Sequence, residues 1–62
     1  MYNIDQVIEK SGIDIVDNLD TIYHKVYCAA GRAGLPARVI ARQAAQKLGF
    51  TEQEIQALEA WY

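Results

Sequence analysis

The chain has 62 residues, 52% of them hydrophobic, and a formal net charge of −2. That length admits one domain at most and buries only about 60% of the unfolded surface, so stability calls for a dense helical core or one completed by a second copy. A single cysteine, Cys28, and a single histidine, His24, exclude an internal disulfide and a four-ligand structural zinc site.

Apolar alternation is short wherever it occurs, as in GIDIVD at 12–17, and helical spacing dominates. The first helix opens at Asn3, with Gln6 three positions on as a capping-box partner. Ile4, Val7 and Ile8 form its apolar face, and Gly12 stops it. A helix of about eight residues is not stable alone and must pack on something.

The second helix is expected to be the longest. Asp14 is read as its cap and Asp17 as a first-turn acid favoured by the helix dipole. Its stripe runs through Val16, Leu19, Ile22 or Tyr23, Val26, Ala30 and Ala33, widened by Ile15 and Tyr27. It must end near GRAGLP, residues 31–36, because two glycines weaken the helix and Pro36 cannot continue it.

Pro36 starts the third helix, where its missing N–H matters least. Val39, Ile40, Ala44 and Leu48 supply the inward face, and Ala37, Ala41 and Ala45 permit close approach. Gly49 is the expected left-handed stop. The fourth helix has the clearest start. Thr51 caps it, Glu54 returns the hydrogen bond, and Phe50 with Ile55 forms a hydrophobic staple. Ile55, Leu58 and Trp61 or Tyr62 are expected to face inward, with the aromatic end docked. The expected fold is all-α: one compact four-helix domain over residues 1–62, ending in a helix-turn-helix-like hairpin.

Charge is distributed in blocks. Residues 1–20 hold five acids and one base, Lys10. Residues 21–50 hold Lys25, Arg32, Arg38, Arg42 and Lys47 and no acid, and residues 51–62 hold Glu52, Glu54 and Glu59. A basic block is either a nucleic-acid footprint or the partner of the chain's own acidic helices.

Ala45, Leu48, Gly49, Phe50, Thr51, Ile55 and Leu58 stand at the spacing of a tight two-helix crossing. A small residue lets the helices approach, a glycine takes the left-handed turn, and two aliphatics pack beneath. Residues 45–58 therefore resemble the helix-turn-helix of prokaryotic regulators. The resemblance covers about a quarter of the chain and implies that Thr51, Gln53 and Gln56 would meet bases while Arg38, Arg42 and Lys47 hold phosphates. Glu52, Glu54 and Glu59 would oppose those phosphates, and the same pattern serves as a purely structural turn.

Other candidates for chemistry are thin. His24 has Asp20 one turn before it and Cys28 one turn after, ordinary helix neighbours without further catalytic partners. AAGRAGLP lacks the spacing and terminal Lys-Ser/Thr of a phosphate loop. Asp14, Asp17 and Asp20, spaced by three, would line one helix face instead of enclosing an ion.

The expected function is therefore a small non-enzymatic protein without a cofactor that self-associates, as a dimer, and binds a protein partner. Tyr23, Tyr27, Trp61 and Tyr62 are the expected contact residues, because Tyr and Trp are enriched at interfaces. A dimeric helix-turn-helix DNA-binding regulator is the alternative. No signal-peptide pattern and no stretch near ~20 apolar residues is present, so the expected setting is cytoplasmic and away from membranes.

Overall fold

A computed structural model describes residues 4–14 and 16–61. They form four helices, α1 (Ile4–Ser11), α2 (Leu19–Arg32), α3 (Ala37–Lys47) and α4 (Glu52–Glu59), with no strand among them. The expected cap at Asn3 lies outside the described residues.

Helix α2 packs most extensively on α3, α1 lies across both, and α4 touches the same pair. The core holds Val7, Ile22, Tyr23, Val26, Ile40 and Ile55, with Ala30, Ala41, Ala44 and Ala45 between them. The four buried alanines leave little side chain between α2 and α3, so the two backbones approach and the larger residues fill the flanks. Each buried aliphatic side chain contributes roughly 1.5–3 kcal/mol of transfer free energy.

Two helices end in the same way. At the end of α2, Gly34 has φ +74°, its N–H donates to the Gly31 carbonyl at 3.1 Å, and the Leu35 N–H donates to Ala30 at 3.0 Å. At the end of α3, Gly49 has φ +99°, with Gly49 to Gln46 and Phe50 to Ala45 both at 3.1 Å. These are Schellman motifs, in which the residue after the glycine turns back onto the last helical turn. Leu35 and Phe50 both pack against the core. Gly31, by contrast, is inside α2.

Several sequence expectations are corrected. Helix α2 begins at Leu19, capped by Asn18, whose Oδ1 accepts from the Thr21 N–H at 2.9 Å. Asp14 instead closes a turn with Asp17: the Asp14 N–H donates to Asp17 Oδ2 at 2.9 Å, and the Asp17 N–H donates to the Asp14 carbonyl at 3.0 Å. A short polar side chain that bonds its own neighbours' backbone favours such turns over helix. Val16 sits on this turn, 84% exposed, so it is not part of the stripe, and the three aspartates do not share a helix face. Ile15 lies outside the described residues.

Val39 and Leu48 are nearly half exposed, because α3 buries its alanine-rich side and Leu48 is the residue after the last helical turn. The end of α4 is not docked through Trp61, which is 89% exposed. Trp61 lies beyond the last residue of α4, in the turn after the Ala60 cap, where its N–H donates to the Leu58 carbonyl at 3.0 Å. Thr51 does form the expected capping box with Glu54.

An added Cβ meets nothing within 4 Å at Gly31 or Gly49, so only backbone conformation separates them. Gly31→Ala is expected to raise the thermal midpoint, by up to about 1 kcal/mol of stability. Gly49→Ala is expected to lower it by about 1–2 kcal/mol, several degrees for a domain this small. Thermal and urea unfolding of the two variants checks the opposite signs.

Candidate functional site

The side chains richest in chemistry meet at Glu59, on the last turn of α4. The Tyr23 hydroxyl donates to Glu59 Oε2 at 2.6 Å, Arg38 Nε donates to the same oxygen at 3.1 Å, and Arg42 Nη1 donates to Oε1 at 2.6 Å. The Glu59 side chain is only 7% exposed. Its position follows from local sequence: Glu59 stands four residues after Ile55, the apolar anchor of α4, and so shares its face.

The electrostatics follow from this geometry. Burial acts to raise the Glu59 pKa, but hydrogen bonds from Tyr23 and Arg38 and the charges of Arg42 and Arg38 outweigh it, so the carboxyl sits below its ordinary value. Tyr23 is pushed well above the ordinary tyrosine range, first by burial and then by its hydrogen bond to Glu59 and that group's negative charge.

Tyr23 is thus a core residue, 2% exposed, which corrects its expected place on a contact surface. A tyrosine is buried at little cost when its hydroxyl finds a partner, and Glu59 supplies one. Tyr27 stacks on it, with ring centroids 6.2 Å apart and planes 22° apart, and remains exposed. Tyr23, Tyr27, Arg38 and Glu59 line a shallow depression of about 170 Å³. Two Cα steps separate Glu59 from Trp61, so the two Cα atoms lie within about 7 Å of each other. Tyr62 lies outside the described residues.

The acidic and basic blocks meet each other. Besides the Glu59 pairs, Arg42 binds Glu52, Lys47 binds Asp5, and Lys25 lies 3.4 Å from Asp17. The residues expected to hold phosphates are therefore engaged by carboxylates, although Arg38 keeps 69% of its side chain exposed. Of the expected base readers, Thr51 accepts from the Glu54 N–H as helix cap and Gln56 Nε2 donates to Glu52 at 3.2 Å. Gln53 is exposed. In the α3–α4 turn, Ala45 and Ile55 are buried as the helix-turn-helix spacing requires, whereas Leu48 is not. No charge pattern in the sequence singles out Glu59 as the acid that turns inward; the signal was its spacing from Ile55.

His24 and Cys28 face one another on α2, Cys28 Sγ lying 3.8 Å from His24 Nε2. No group of three His, Cys, Asp or Glu side chains able to hold a metal occurs among the described residues, and no helix there is long and apolar enough to cross a membrane. Comparison with protein-family models, with curated proteins and with solved structures gives no match.

Two predictions follow from the Glu59 cluster. Tyr23→Phe keeps the ring but removes a hydrogen bond to a charged group, and chemical denaturation should show a loss of about 1.5–3 kcal/mol. The second concerns pH. A lowered carboxyl pKa gives stability that is present above the ordinary glutamate value of 4.5 and is lost as pH falls through the depressed folded value. A raised tyrosine pKa gives stability present below 10 and lost at more alkaline pH. Stability should therefore fall below about pH 4.5 and above about pH 10. In Glu59→Gln the alkaline limb should weaken, and the acid limb should shrink to what Asp17 contributes, whose pKa is also lowered, first by the Asp14 N–H.

Proposed function

We propose that this chain is a small non-enzymatic interaction module that self-associates as a dimer and presents the same helical surface to a protein partner. The observation that carries the reading is Trp61, left 89% exposed two residues after Glu59. Tyr27 stands exposed at the Glu59 depression. Large aromatics bury much area at low entropic cost and dominate contact energies at interfaces. The scale also fits. A standard dimer buries about 800 Å² per partner, about a fifth of this chain's 4250 Å².

The internal polar groups support the same reading. The carboxylates and cations of the acidic and basic blocks bind each other, and no buried side-chain polar atom among the described residues lacks a partner. DNA as the ligand draws less support, because Arg42 and Lys47 would have to leave Glu52, Glu59 and Asp5 before meeting phosphate.

The test is light scattering after size exclusion. The dimer should become monomeric in Trp61→Ala and in Tyr27→Glu, with dissociation constants raised at least about thirtyfold if each residue is a hot spot. Circular dichroism should show unchanged helix content, since neither side chain is buried. The single tryptophan adds a variant-free readout: its emission should shift to the blue as protein concentration rises. A wild-type monomer at high concentration would sink the proposal. Retardation of duplex DNA at low salt, falling steeply with added salt, would replace it.

A further inference from the structure

A second cleft, of about 210 Å³, lies between the end of α1 and the outer face of α2. Its lining brings together Lys10, His24, Lys25, Cys28 and Arg32 and includes no carboxylate. Lys10 and Arg32 also border an adjoining cleft of about 260 Å³, again without an acid in its lining. Lys25 is turned toward Asp17 at 3.4 Å, which leaves Lys10 and Arg32 as the cations at the cleft. The half-buried Cys28 thiol faces the His24 imidazole at 3.8 Å within it. A nucleophile, a base and two cations thus share one solvent-open recess on a chain whose other cations mostly bind its own acids.

We propose that Cys28 is a thiol-exchange site for a carboxylate-bearing low-molecular-weight disulfide of the oxidised-glutathione type, with Lys10 and Arg32 as positioning residues. A phosphate or a plain carboxylate would use only the cations. A disulfide carrying carboxylates uses the thiol as well. In the step, His24 Nε2 accepts the thiol proton, and the Cys28 sulfur attacks one sulfur of the disulfide. A new bond joins Cys28 to one glutathionyl sulfur while the original S–S bond breaks. Its electron pair leaves on the second glutathione, which takes the proton from the imidazolium. Cys28 is oxidised, the departing thiol is reduced, and oxidised glutathione is the oxidant.

The experiment compares two disulfides on the full chain at pH 7: oxidised glutathione and the uncharged 2-hydroxyethyl disulfide. Adduct formation is followed by intact mass. The readout is the ratio of the two rates, which a merely accessible thiol would not tune. Lys10→Gln with Arg32→Gln should lower that ratio about three- to tenfold, the scale of two solvent-screened charges. Raising the salt on wild-type protein should lower it in the same direction, and this measurement needs no variant. His24→Gln should slow both reagents alike, and Cys28→Ser should form no adduct. A ratio indifferent to both the cations and salt overturns the proposal. So does a His24→Gln rate equal to wild type, or the absence of any adduct on wild-type protein.

Discussion

The carboxylate of Glu59 is the point at which three of the four helices are joined. It belongs to α4, the hydroxyl that reaches it comes from α2, and the two guanidinium groups come from α3. A carboxylate buried without partners would cost several kcal/mol, and a pair is favourable only when its geometry satisfies the remaining lone pairs. Here both oxygens have donors. The consequence for α4 is direct. An eight-residue helix is not stable alone, and this one is held by an apolar anchor, Ile55, and an ionic one, Glu59, a single turn apart. The same contact permits Tyr23 to lie in the core, since its hydroxyl has a charged partner.

The stacked tyrosines connect that interior to the surface. Tyr23 is fixed by Glu59, and Tyr27 rests on its ring while remaining exposed. A partner that covers Tyr27 therefore presses on a ring whose position is already set by three helices. Such a surface is preorganised, so little side-chain entropy is lost when it is covered.

Much of the architecture is legible in the residues, and the reasons are local. The Thr51–Glu54 capping box and the glycine stops depend on neighbours within a few positions, and the structure contains them; Pro36 stands one position earlier than expected, as the N-cap of α3. The start of α2 is less legible because two good caps compete. Asp14 bonds within its own turn and the later Asn18 becomes the cap. The fate of the aromatics depends on partners distant in sequence. Tyr23 is inside because an acid 36 residues away receives its hydroxyl, and no local pattern announces that. Trp61, two residues from the same acid, is left outside in the turn that follows α4. The glutamates of α4 look alike as a row of charges, yet Glu54 caps, Glu52 pairs at the surface and Glu59 turns its carboxylate inward among donors.

The arrangement of ion pairs has a consequence for the chain before it folds. The pairs Lys47–Asp5, Arg42–Glu52, Arg42–Glu59, Arg38–Glu59 and Lys25–Asp17 each join a base of the central block to an acid of a flanking block. The unfolded polypeptide is therefore a block polyampholyte, whose two ends are both attracted to its middle. Such a chain is contracted at low ionic strength and already holds opposite charges near one another. Salt then screens attraction in both states, so the net stability responds to it less than five native ion pairs suggest. The dimensions of the denatured ensemble respond more.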